Sequence, residues 1–136
     1  MDNQLAEKPR TVTLAVNLLW ASLAIGFAKI PLDLPSLAAV PSPGIVWPLM
    51  ILLLAFICFV IFKISSGGNW ARITFLVLFL IGLIAAVPTL ESEFSRAPIV
   101  GILSIVQGIL QGYAMYLVFT SPGKTWFQKK APAPSP

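Results

Sequence analysis

Towards the C-terminus an uncharged apolar stretch carries Ser104, Gly108 and Gly112 at intervals of four residues, with Gln107 and Gln111 four apart beside them. On a helix the first three share one face and the two glutamines edge it. Gly108-x-x-x-Gly112 is a spacing at which membrane helices approach closely, and Gly101 lies near the same stripe. Away from water, the glutamine amides seek partners across a helix interface, for about 1 kcal/mol each. Two uses fit this face. It packs helices together, within the chain or between copies, or it lines a groove for a neutral or amphipathic solute. Packing is the leading expectation. Asn17, in the first apolar stretch, is the partner expected for Gln107 or Gln111 if the two stretches are neighbours.

The residues that are missing exclude more. The chain has no histidine and a single cysteine, Cys58. Histidine-ligated haem, most zinc sites, histidine acid–base catalysis and Cys-x-x-Cys redox chemistry are therefore out. No acid lies inside an apolar stretch, where a proton-coupled transporter needs one. The four-helix small multidrug exporters have a glutamate in their first span, and this chain has Asn17 there instead. Gly67-Gly68 is followed by no Gly-Lys-Ser/Thr, so it is not a phosphate loop. Cys58 has no neighbouring base and reads as a small hydrophobe. The expectation is a non-enzyme with no metal and no cofactor.

Positioning falls to four apolar segments. Of 136 residues, 57% are hydrophobic and 10% charged, against about 25% charged in soluble domains. A small soluble fold could not hide that much apolar surface. A membrane helix needs about 20 such residues, and the spans read as 11–29, 44–63, 70–88 and 97–120. Backbone groups in lipid must bond internally, so these are helices. Lys8, Arg10, Lys63, Arg72, Lys124, Lys129 and Lys130 fall on one side, and only Lys29 and Arg96 on the other, with Asp33, Glu91 and Glu93. Basic residues stay cytoplasmic, which puts both termini inside. Trp47, Trp70 and Trp126 sit at span ends as interface anchors. Arg72 is expected to snorkel to the surface beside Trp70 and reach lipid phosphate. The net charge of +4 lies beside apolar runs, so membrane lipids rather than nucleic acid are the expected partners.

Between the spans, Ile30 to Val40 is apolar and carries Pro31 and Pro35. The prolines predict a helix break, then a short surface segment capped by Ser36. This is a connector against lipid or, alternatively, a lid over an outward cavity. Residues 88–96 read as a short polar outer loop. Ser65-Ser66-Gly67-Gly68 reads as a tight inner turn. The Pro-rich tail 131–136 reads as disordered. Lys8 and Arg10 followed by an apolar run to Gly26-Phe27-Ala28 leave open a cleaved signal peptide, although Lys29-Ile30-Pro31 makes a poor mature start. A shift of 56 residues places Ile25-Gly26 on Ile81-Gly82, and Ser65, Gly67 and Trp70 on Ser121, Gly123 and Trp126. That would make the two hairpins a parallel repeat, unless these residues gather at interfaces for generic reasons.

Gly67-Gly68-Asn69-Trp70-Ala71-Arg72, with Lys124-Thr125-Trp126-Phe127 after span four, resembles a diffuse set of small uncharacterised bacterial inner-membrane proteins of four spans. In these an Asn-Trp-Ala-Arg start to span three and a Trp-Phe near the C-terminus recur. The resemblance covers the layout and about ten residues; it implies the bacterial inner membrane and no particular activity. The sequence thus predicts an all-α integral membrane four-helix bundle of two successive hairpins, with residues 1–130 as one transmembrane domain. Its leading role is structural or accessory, through span four packing on a second copy or on a larger membrane partner. The alternative is a small transporter or channel subunit for a neutral or amphipathic solute.

Overall fold

The computed structural model describes residues 7–130, with backbone alone for Lys129 and Lys130; the tail at 131–136 lies outside the described residues. The chain forms α1 (Arg10–Leu32), α2 (Leu34–Ala38), α3 (Pro43–Ser65), α4 (Asn69–Arg96), α5 (Pro98–Phe119) and α6 (Gly123–Lys130). It is an all-α membrane bundle: α1, α3, α4 and α5 are each long and apolar enough to cross a bilayer. At 1.5 Å per residue, 23 residues of α1 or α3 reach about 34 Å, enough for the hydrocarbon layer. The chain is therefore a multi-pass membrane protein. Successive spans alternate in direction, which brings both described termini to one end, here called the terminal end.

The connections follow local chemistry. After Ser66 the chain turns through Gly67, whose φ of 88° suits a residue without a Cβ. Between α4 and α5 the link is one extended residue, Ala97 (φ −151°, ψ 98°). An extended conformation is what a residue before proline prefers, and Pro98 then opens α5 at a position that needs no N–H donor.

Two expectations about prolines need correction. Residues 88–96 are not a loop: α4 runs through Pro88 to Arg96. The hydroxyl of Thr89 donates to Ala86 O at 2.9 Å, that of Ser92 to Thr89 O and that of Ser95 to Glu91 O. These bonds occupy carbonyls around the proline and allow a polar helix end to continue beyond the span. Likewise α1 does not break before Pro31 but runs one residue past it. Asp33, not Ser36, stands at the start of α2, and the Ser36 hydroxyl donates to its carboxylate at 2.6 Å.

The packed core lies in the terminal half. Val12, Ala15, Val16 and Leu19 of α1 meet Val60, Ile61 and Ile64 of α3, Ala71 and Phe75 of α4, and Ala114, Met115, Leu117 and Val118 of α5. The 12–15–16–19 spacing is one helix face. Trp126 and Phe127 of α6 close this end. Gly123 permits that closure, because a Cβ there would lie 2.5 Å from Leu117 O. Toward the far end the helices part. Burial there narrows to Ser22, Val100 and Gly101, and the far half of α3, Ile45 to Phe56, is exposed almost throughout. The result is a bundle shut at the terminal end and open at the other.

Candidate functional site

Between the parted helices lies a half-open cleft of about 470 Å³, within the roughly 300–1,000 Å³ of small-molecule pockets. One wall is apolar. It is built from Leu53 and Ile57 of α3 and a face of α4 that includes Phe75, Leu78, Phe79, Gly82 and Ala86. The opposite wall is polar: Lys29 of α1, Glu93 of α4, and Ser104, Gln107 and Gln111 of α5, with Gly108 between the glutamines. Leu53, Ile81 and Leu83 line the cavity while remaining half-exposed, so it opens sideways where α3 and α4 diverge.

The polar wall is built on the α1–α5 contact, the most extensive in the bundle. The two helices run antiparallel, and their polar residues pair in steps of one turn. The Gln111 amide approaches the Ser22 hydroxyl at 3.4 Å, and that hydroxyl donates to Leu19 O at 2.8 Å. One turn on, a Cβ at Gly26 would lie 3.2 Å from the Gln107 amide nitrogen, a tight approach that the flexible amide relieves by a shift of a few tenths of an ångström. Another turn on, Lys29 donates to the Ser104 hydroxyl, which donates to Glu93, both at 2.5 Å. The Lys29 ammonium is also 3.6 Å from the Glu93 carboxylate. Both charged side chains are largely buried. A lysine in the last turn of α1 also suits the negative end of that helix. Gln107, by contrast, has no hydrogen-bond partner among the described residues.

The small-residue stripe of α5 divides by use. A Cβ at Gly101 would fall 2.7 Å from the Phe94 ring, and one at Gly112 would lie 3.6 Å from Phe79. These two positions seat α4 against α5. Gly108 does not pack: a Cβ there meets nothing within 4 Å, because that position faces the cavity. Ser104, Gln107, Gly108 and Gln111 thus line one cleft, and Gly112 lies just beyond, in the helix interface. Asn17 does not join them. It is exposed on the side of α1 away from α5, and Ser22 takes the role expected of it.

Two expected anchors are also corrected. Arg72 does not reach out to lipid. It is only 6% exposed. Its Nη1 donates to Val118 O at 3.0 Å and its Nε to Asn69 Oδ1 at 2.7 Å. Its guanidinium lies 4.9 Å from the Phe119 ring and 5.0 Å from that of Phe127. It thereby satisfies a carbonyl at the C-terminus of α5, where helix carbonyls lack partners. Trp126 is buried beside Phe127, with the ring centroids 5.0 Å apart, and is not at a lipid interface. The Asn-Trp-Ala-Arg and Trp-Phe segments, far apart in sequence, are therefore two sides of one contact that locks the terminal end. Trp70 and Trp47 do face outward, each in the first turns of its helix.

Sequence reasoning missed Lys29, Glu93, Gly26 and the aromatic wall at Phe79. A faint signal existed for the ion pair, because the only two cations on the far side share it with three acids. The lid reading of the first connector gains nothing, since no residue of α2 lines the cavity. No protein-family model matches the chain, and neither a curated protein nor a solved structure gives a significant match.

Proposed function

We propose that this chain is a non-enzymatic protein of the bacterial inner membrane, with cytoplasmic termini, that takes an amphipathic solute into its far-half cavity as a small binding or transport component. One observation carries the reading: a cavity large enough for a ligand has an apolar wall facing a polar one, with Gln107 unpartnered and Gly108 open. The orientation is supported by the far-end charges. Lys29 and Arg96 are each 3.6 Å from an acid, Glu93 and Asp33, so the uncompensated positive charge gathers at the terminal end.

The test is native mass spectrometry of chain extracted in a neutral sugar detergent. Wild type retains an amphiphile adduct, Gly108→Leu pushes a side chain between the two walls and loses it, and Ile109→Leu on the exposed face retains it. An adduct that survives Gly108→Leu unchanged contradicts the reading.

The accessory reading keeps one specific support. α3 is the most apolar span and buries little of itself within the chain, which leaves a long surface for a partner helix. Its α5 route is weaker, because Gly101 and Gly112 are occupied from within by Phe94 and Phe79. Loss of crosslinked oligomers in Gly108→Leu with the adduct intact favours that reading instead.

A further inference from the structure

The cavity's polar wall presents one cation and one anion side by side, and from this pair we infer the class of amphiphile: a zwitterionic phospholipid whose headgroup carries both a phosphate and an ammonium, with its chain along the apolar wall. The inference rests on the binding reading above and adds the headgroup to it.

Charge balance at this pair selects among headgroups. Lys29 and Glu93 both line the cavity, 3.6 Å apart, and the Ser104 hydroxyl bridges them by accepting from one and donating to the other. A purely anionic headgroup gains Lys29 but is set against the Glu93 carboxylate. A purely cationic one gains Glu93 and is set against the ammonium. A neutral headgroup leaves the pair closed and gains only the hydrogen bonds of Gln107 and Gln111. A zwitterion alone lets the pair open with no charge left unpartnered: its phosphate accepts from Lys29 and the Gln107 amide, and its ammonium donates to Glu93. Charge left unpartnered at a half-buried position is what the other classes incur.

The second ion pair, Asp33 with Arg96, does not compete for this role. It lines no part of the cavity and instead joins the α1–α2 junction to the end of α4, where Arg96 also donates to Ser36. The apolar wall gives the chain its place. Leu53 and Leu83 are half-exposed at the cleft mouth, with Ile57 and Phe79 partly buried behind them, so an acyl tail enters from the side while its head stays near the far surface.

The experiment adds single-chain probes to the full chain in dodecyl maltoside and reads bound adducts by native mass spectrometry. The probes are palmitoyl lysophosphatidylethanolamine, palmitoyl lysophosphatidylglycerol, monopalmitoylglycerol and, as the headgroup without a tail, glycerophosphoethanolamine. The ethanolamine lipid binds one per chain, at least about tenfold tighter than the anionic and neutral lipids, the lower end of what a desolvated charge pairing contributes. The tailless headgroup does not bind, which separates a lipid from a soluble zwitterion. Glu93→Gln shifts the preference to the anionic lipid, and Lys29→Gln with Glu93→Gln shifts it to the neutral one. A change of preference, unlike a loss, cannot come from misfolding. Equal binding of all three lipids in wild type, or unchanged preference in Glu93→Gln, overturns the inference and leaves the cavity reading standing. Binding of all three that ignores Gly108→Leu overturns both.

Discussion

Arg72→Met removes the contact that locks the terminal end, and its cost follows from the geometry. The bond from Nη1 to Val118 O, at 3.0 Å, is charge-assisted and contributes about 1.5–3 kcal/mol. The Phe119 and Phe127 rings, at 4.9 and 5.0 Å, add about 0.5–2 kcal/mol each at a desolvated site. Methionine recovers some packing but leaves Val118 O without a donor, so the net loss is about 3 kcal/mol. Arg72→Lys keeps the charge but not the plane that reaches a carbonyl while facing two rings, and costs about 2 kcal/mol. The assay is SDS unfolding from dodecyl maltoside micelles, followed by tryptophan fluorescence, with Phe127→Leu completing a double-mutant cycle. The coupling of Arg72 to Phe127 is expected at about 1 kcal/mol. If Arg72→Met lies within about 0.5 kcal/mol of wild type, the guanidinium is solvated by headgroups and the inward contact is wrong.

Other substitutions separate the uses of small and polar residues. Gly101→Ala, whose Cβ would overlap the Phe94 ring, costs about 1–3 kcal/mol in the same assay, whereas Gly82→Ala, with open space around it, is neutral or stabilising. Asn17→Leu changes stability by less than about 0.5 kcal/mol, because that side chain faces away from the bundle. Lys29→Met alone leaves Glu93 buried without its cation and costs about 2 kcal/mol, while Lys29→Met with Glu93→Met falls within about 1 kcal/mol of wild type.

The number and order of the spans were legible in the sequence because lipid tolerates only long apolar helices. The Gly67 turn was legible for the same kind of reason, a local backbone need. The cavity was half legible: Ser104, Gln107, Gly108 and Gln111 share a face by periodicity alone. What faces them was not, because Lys29 and Glu93 meet across 64 positions and no local pattern marks the pairing. Asn17 misled because α1 is apolar on all sides, so hydrophobicity does not say which side is inward. Its small residues do not say it either, since Ala15 and Ser22 are buried while Ala21, Ala24 and Ala28 are exposed. Arg72 misled in a second way. Its distance to the surface suggested snorkelling, while its partners, Phe119 and Phe127, lie on elements that come close only in the folded bundle. Pro88 read as a terminator, but nearby hydroxyls on Thr89 and Ser92 bond the helix carbonyls and carry the helix on.

The bundle is closed at the terminal end and open at the other, with Gly108 on the open side. Thiol labelling along one helix tests it most directly. In a Cys58→Ser background, Gly108→Cys and Ala114→Cys stand less than two turns apart on α5, one facing the cavity and the other fully buried in the core. With a small methanethiosulfonate in dodecyl maltoside, the account predicts fast labelling at 108 and silence at 114. Labelling as slow at 108 as at 114 would mean that the far half is packed shut, and the cavity would have to be given up.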